Sequence, residues 1–437
     1  MAVSYTKEDY RRMYEERKTT LEACLGLIRS GDNICFAKDC NEPKRFCENL
    51  HTIADRVENV TILKGRSSDF GFLQNDGMAG HFLTQSAFYS KGWEPAIRKG
   101  TCTFVPNDLP DQPIWYNGAY PRNVYIAAVT PMDEDGNFQV NLSQMWERDI
   151  DPLSCERIIL EVNRKLETVR GGVEINIKDV TAFYEADYDI YTIPDAPFSE
   201  TDKVIGEYVA ELVRDGDTIQ LGIGSLPNAC AHSLMDKRDL GIHSEMFTNT
   251  MMKMVEKGVV TGDRKNINRG EHTLCFGGGS PELFHFLHEN KQCHIRPASY
   301  VTDPFVIRSN DNMVSINAIM EIDLTGQVNS ETIGTRQYSG PGGAFDFAYG
   351  AAHSKGGRSI LIMHATTNKG ASKIKATLPV GAAVTIPRTY TDYVVTEYGI
   401  AHLRGRSVRD RVKALVSIAH PDVREELMAE ARRLFYI

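Results

Sequence analysis

Apolar and polar positions alternate along this chain in two registers. Between Glu8 and Leu27, apolar or aromatic residues recur at Tyr10, Met13, Tyr14, Leu21, Cys24, Leu25 and Leu27 with charges between them, a spacing that predicts a helix. Ser30-Gly31-Asp32 breaks it, and the apolar run Asn33–Ala37 predicts a short buried strand. The same order returns later: a helix through Val204–Val213, the break Asp215-Gly216-Asp217, and a strand Thr218–Leu221. In each copy a proline, Pro43 or Pro227, then opens another helix. A second pair of landmarks follows in the same order. Tyr125–Val129 leads through Asp133–Gly136 to Phe138-Gln139-Val140-Asn141, and Ser315–Ile319 leads through Asp323–Gly326 to Gln327-Val328-Asn329. Two matching landmarks at similar separation predict a duplicated α/β domain. The Pro-rich stretch Ile193–Ser199 sets the boundary, giving domains 1–195 and 196–437.

Length agrees with this, since 437 residues at roughly 150 per domain suggest two or three domains. Hydrophobic residues make up 42% and charged residues 24%, ordinary globular usage that excludes a disordered chain or a disulfide scaffold. A formal charge of -9 argues against a general nucleic-acid or anionic-membrane surface. No apolar run approaches the ~18 residues of a spanning helix, and the acidic N-terminus lacks a signal core. Nine scattered cysteines without a C-x-x-C pair read as reduced thiols, so the expected location is cytoplasmic.

Five segments carry chemistry. Gln220–Ala229 ends a strand and starts a helix, with glycines at 222 and 224 that let a ligand approach the backbone. A tight turn without ligand has equal claim on it, and the third glycine of a dinucleotide fingerprint is replaced by Pro227. In Asp239–Phe247, Glu245 stands among apolar neighbours and shares a strand face with His243. It is a poorly solvated nucleophile or base, or a surface residue capping a strand. Phe276–Leu283 reads as a structural turn with Ser280 as helix cap and Pro281 in the first turn. Gly340–Phe347 follows a 10-residue polar stretch, Ser330–Ser339, that offers little core and whose amides could serve an oxyanion. Arg404, Arg406, Arg409 and Arg411 crowd four guanidinium groups into eight residues, suited to phosphate or to a solvated helix start. Phosphate-loop, nucleophile-elbow and H-E-x-x-H motifs are missing.

Together, Gln220–Pro227, Gly241–Met246, Gln327–Gly343 and Tyr393–Arg406 resemble the acetyl-CoA hydrolase/transferase family, most of all its 4-hydroxybutyrate and butyryl-CoA:acetate CoA-transferases. The loose match of Phe36–Pro43 leaves the acyl group open. The resemblance implies two similar α/β domains with the active site at their interface, assembled as homodimers or homotetramers. It makes Glu245 the catalytic glutamate, forming a glutamyl-CoA thioester by a ping-pong route. Gly343 then becomes an oxyanion donor and Glu397 a positioning residue near the thioester. Gly222, Ile223, Gly224, Ser225, Leu226, Ser339, Gly342, Gly343 and Lys369 become CoA contacts. The implied partners are acyl-CoA and short-chain carboxylates, with no nucleic acid, membrane, metal or cofactor beyond coenzyme A. Three rivals stay open: an acetyl-CoA hydrolase, a non-catalytic CoA-binding protein and a dehydrogenase. The last needs the missing third glycine.

Overall fold

A computed structural model describes residues 5–64, 71–89, 93–150 and 152–437. The chain divides into two compact units, Met1–Ile193 with Cys275–Ser299, and Pro194–Leu274 with Tyr300–Ile437. The first cut falls inside the Pro-rich stretch. The excursion 275–299 is a feature that a single linear boundary does not carry. It is tied to the first unit by backbone bonds from Gln144 to Cys275 (2.9 Å), Gly277 to Leu142 (3.0 Å) and Ile295 to Arg170 (3.0 Å).

In the first unit α1 (Lys7–Arg17) and α2 (Leu21–Leu25) replace the one continuous helix that the apolar spacing predicts. The break has a local cause. Thr19 donates its amide to the Phe183 carbonyl, and Thr20 turns its hydroxyl to cap the second helix at Ala23. The core sheet contains β1 (Asn33–Phe36), β2 (Val60–Lys64), β3 (Phe82–Ser86), β4 (Cys102–Phe104), β5 (Val124–Val129), β7 (Arg157–Asn163) and β9 (Ala182–Ala186). Their order is β4-β3-β2-β1-β5-β7-β9, every pair parallel. A separate antiparallel pair joins β6 (Asn137–Val140) to β8 (Val173–Asn176). β5 and β7 are buried at every residue, as the central strands of a parallel sheet covered on both faces must be.

The second unit repeats the plan. β10 (Thr218–Leu221), β11 (Gly241–Phe247), β12 (Met313–Ala318), β13 (Arg358–Ile362) and β14 (Tyr393–Thr396) stand in the order β11-β10-β12-β13-β14, all parallel, with β15 (Gly399–His402) antiparallel beyond β14. α3 (Glu200–Leu212) leads into β10, α4 (Ser225–Ser233) lies between β10 and β11, and α5 (Ala344–His353) leads into β13.

The duplication extends to individual residues. Phe36 faces Ile126 as Leu221 faces Ile316, and the next amide, of Ala37 or Gly222, donates to that same isoleucine's carbonyl at 2.9 and 3.0 Å. Gly31 and Gly216 take φ of +79° and +83°. The aspartate that follows each accepts from the amide three residues back, Arg29 or Arg214, at 2.7 Å in both. Each aspartate also forms a buried ion pair with the first residue of a strand two places along: Asp32 with Arg157 at 2.6 Å, Asp217 with Arg358. Burial raises the Asp217 carboxyl above its ordinary range, against the pull of Arg214 and Arg358. The copies differ in their return strands. Val328–Asn329 folds back on Glu321–Asp323, whereas β6 takes β8 as its partner.

Removing one member of such a pair strands a buried charge, which costs about 3–5 kcal/mol. Urea unfolding of Arg157→Met should show a loss of that size, and Asp32→Leu/Arg157→Met should recover most of it. A loss below about 1 kcal/mol in the single variant would contradict this role.

Candidate active site

In the second unit the strand order reverses between β10 and β12, because β11 lies to one side of β10 and β12 and β13 to the other. Ligands of open α/β sheets bind at the carboxyl ends of the strands beside such a reversal. A reciprocal pair of buried amides spans it: Gln220 Nε2 donates to Asn317 Oδ1 at 2.9 Å, and Asn317 Nδ2 to Gln220 Oε1 at 3.0 Å. Above the pair, Gly222 carries the chain out of β10, and Gly224 adopts φ +114°, ψ -177°, a conformation open essentially to glycine alone. α4 begins at the next residue. Ile223 is exposed, Ser225 half-buried and Leu226 buried. The predicted loop 222–226 thus sits at the rim with α4's first amides beside it.

Glu245 is the half-buried residue of a strand whose other members are buried. Its Oε2 accepts from the Gly343 amide at 3.2 Å, so the structure brings together the two residues assigned to nucleophile and oxyanion donor. Gly343 stands at the start of α5, where amides lack intrahelical partners. A Cβ there would lie 2.8 Å from Glu245 Oε2, so a larger residue would push the carboxylate aside. His243 shares Glu245's face but belongs to the packing. Its Nε2 donates to the Val301 carbonyl at 2.8 Å, and its ring meets Phe347 edge-on.

The loop before α5 is more ordered than its polar composition suggests. Thr332–Ile333 pairs with Arg336–Gln337 as a small antiparallel ladder. The Ser339 amide then donates to Glu331 O at 3.0 Å, and Gly342 takes φ +53°.

Glu397, just past β14, stands three strands from β10 in the same carboxyl-end row, and its Oε2 accepts from the Ala365 amide at 2.9 Å. Lys369 lies exposed at the tip of a turn closed by Thr367 N to Ala371 O at 2.8 Å, on the connection leaving β13. Sequence reasoning missed Asn317, Ala365 and Lys373. Lys373 is half-buried, and burial lowers its ammonium below the ordinary value while Glu397 and Glu321 oppose that shift. Asn317 alone left a trace, an amide in a strand whose other residues are apolar save Ser315.

The arginine cluster separates by function. Arg411 is buried and donates through Nη1 to the carbonyls of Thr325 (2.9 Å) and Arg388 (2.6 Å), which makes it a structural clamp. Arg404 approaches Asp392 at 3.7 Å, and Arg406 and Arg409 are exposed. Ser280 does occupy the cap position before Pro281, but its side chain makes no capping bond. Of the aromatic segment Phe82–Trp93, residues 90–92 lie outside the described residues. Among the described residues no helix is long and apolar enough to cross a membrane, and no three His, Cys, Asp or Glu side chains stand together as metal ligands.

Gly343 has φ -87°, a value any residue adopts, so Gly343→Ala acts on the carboxylate and not on the backbone. The variant should melt within a few degrees of wild type and lose about 10²-fold in turnover, the cost of displacing a reacting group by roughly 1 Å. Unchanged turnover would remove Gly343 from the site.

Comparison with known proteins identifies the family. Models of the acetyl-CoA hydrolase/transferase N-terminal and C-terminal domains match residues 3–193 and 279–431. A succinyl-CoA:cyclohexane-1-carboxylate CoA transferase of Geobacter metallireducens is 35% identical over 434 residues, 99% of each chain. A 4-hydroxybutyrate coenzyme A transferase of Clostridium kluyveri is 34% identical over 98% of this chain and 100% of its own. The crystal structure of RipA from Yersinia pestis superposes with a TM-score of 0.92 at 32% identity, over 98% of this chain and all of that one. With two domain models matched in order and relatives aligned from end to end, the chain belongs to the acetyl-CoA hydrolase/transferase family and is a CoA-transferase enzyme.

Proposed function

We propose that the protein moves coenzyme A between short-chain carboxylic acids, with butyryl-CoA or 4-hydroxybutyryl-CoA and acetate as the working pair, by a ping-pong reaction through Glu245. The observation that carries this reading is the bond from the Gly343 amide to Glu245 Oε2. It supports pairing Glu245 as nucleophile with the Gly343 amide as oxyanion donor.

A Glu245 oxygen attacks the thioester carbonyl of acyl-CoA. The C–S bond breaks, CoA leaves as the thiolate, and the acyl group stays on Glu245 as a mixed anhydride. The thiolate next attacks the Glu245 carbonyl carbon. The C–O bond to the acyl group breaks, the first acid departs as its carboxylate, and Glu245 carries CoA as a thioester. An incoming carboxylate runs the steps in reverse. In each addition the carbonyl oxygen takes negative charge, and an amide held in place beforehand stabilises it without reorganisation. A carboxylate is a weak nucleophile in water, and half-burial strips part of its hydration. The reaction exchanges one thioester for another at nearly equal energy, so CoA itself is the only carrier it needs. The loop 222–226, the amides of Ser339–Gly343 and Lys369 are assigned to CoA, and Glu397 to positioning.

Glu245→Gln keeps the shape and the hydrogen bond while removing the nucleophile. It should lower kcat for acetate-dependent release of butyrate from butyryl-CoA by roughly 10³-fold or more. Turnover within about tenfold of wild type would exclude Glu245 as the covalent carrier.

A further inference from the structure

Ala365 serves two neighbours at once. Its amide donates to Glu397 Oε2 at 2.9 Å, and its carbonyl accepts the amide of Lys373 at 2.9 Å. Lys373 thus returns to the rim beside the peptide that holds Glu397, after the turn that carries Lys369. Its own carbonyl accepts from the Ile322 amide at 3.0 Å, where Ile374–Lys375 begins to pair in parallel with Ile322–Asp323. Glu321 is the residue before that contact. Glu397 and Glu321 are accordingly the two carboxylates whose charge acts on the Lys373 ammonium.

Both carboxylates are tied to parts of the site. Glu397 takes the Ala365 amide, and Glu321 Oε1 accepts from Asn329 Nδ2 at 2.8 Å. Asn329 is fully buried and shapes the start of the segment that runs to Gly343. Its Nδ2 also donates to Thr332 O at 2.8 Å, and its Oδ1 accepts the amides of Glu331 at 3.1 Å and Thr332 at 3.0 Å. The Glu331 carbonyl then receives the Ser339 amide. Every one of these groups belongs to the second unit.

Lys373 itself is half-buried, and among the described residues its ammonium makes no hydrogen bond or ion pair. An ammonium drawn partly out of water is costly unless negative charge stands near it. Its N–H donors are committed to neither carboxylate, so it acts on them through charge, which reaches beyond bonding distance where water is partly excluded. Glu397 is the carboxylate assigned to the substrate. The acid substrate arrives as a carboxylate and CoA leaves as a thiolate, so an uncompensated glutamate there would repel both.

We propose that Lys373 is a positioning residue that offsets the charge of Glu397, so that an anionic acceptor acid can settle beside that glutamate. This rests on the transferase reading above and adds to it the cation that a second carboxylate in the site requires.

Transfer of CoA from butyryl-CoA to acetate by wild type, Lys373→Met, Glu397→Gln and the double variant, with melting curves alongside, tests this. Lys373→Met should raise KM for acetate at least ~10-fold, the effect of exposing one like charge close by, and lower kcat less than about threefold. Lys373→Arg keeps the charge and should restore KM to within about threefold of wild type. In the Glu397→Gln background, Lys373→Met should raise KM less than about twofold, because the repulsion that it unmasks is gone. A residue that only supported the fold would lose as much in either background. The pairing is also read without turnover. Trace labelling with acetic anhydride across a pH series, followed by peptide mass spectrometry, titrates the Lys373 amine. Its pKa should fall in Glu397→Gln, since Glu397 is one of the two charges that hold it up against burial. If wild type moves no CoA to acetate while that titration falls, the transferase reading fails and the pairing of Lys373 with Glu397 is upheld. Losses that add in the double variant, or a Lys373 titration unmoved in Glu397→Gln, would overturn the proposal.

Discussion

A buried aspartate–arginine pair, made twice, underlies the architecture. In each unit the aspartate follows a glycine in the left-handed region and immediately precedes the first central strand. Its arginine begins the strand two places along, beyond a strand buried at every residue in the first unit and at all but its last in the second. Three strands are thereby held in register from their amino ends. A one-residue slip would turn every side chain to the opposite face and separate the charges in a medium that does not tolerate them alone.

Fixing the amino ends lines up the carboxyl ends, where the chemistry lies. In the second unit that rim carries the Gly222–Leu226 loop, Glu245, Asn317 and Glu397, brought there by four parallel strands. The helices that lead into or between those strands start at the same rim, so α5 can present Gly343 to Glu245. A Cβ on the donating residue would displace the carboxylate it serves. The active-site contact and the parallel topology are thus one design.

Much of this was legible in the chain because its causes are local. Gly31-Asp32 and Gly216-Asp217 break a pattern where the backbone must turn, and Gly224 takes a backbone conformation open essentially to glycine. The apolar runs of β5 and β12 betray burial on both faces. The assignment of Glu245 came from resemblance, since a carboxylate at a strand end has two ordinary readings.

The missed features depend on distance or on the backbone. Arg157 and Arg358 meet their aspartates across 125 and 141 residues, and Gln220 meets Asn317 across 97. Ala365 acts through its amide, which no side-chain pattern reports. The helix break at Thr19–Thr20 follows from a bond to Phe183, and Arg411 could be told from its exposed neighbours only once Thr325 and Arg388 were placed around it.

The central claim is that CoA becomes covalently attached to Glu245. Incubating the protein with butyryl-CoA, reducing with borohydride and mapping peptides by mass spectrometry reads that bond directly. The account predicts reduction of Glu245 alone to its alcohol, dependent on butyryl-CoA and abolished by excess acetate added before the reductant. An unmodified Glu245 in protein that consumes butyryl-CoA, or reduction at a different carboxylate, would contradict it.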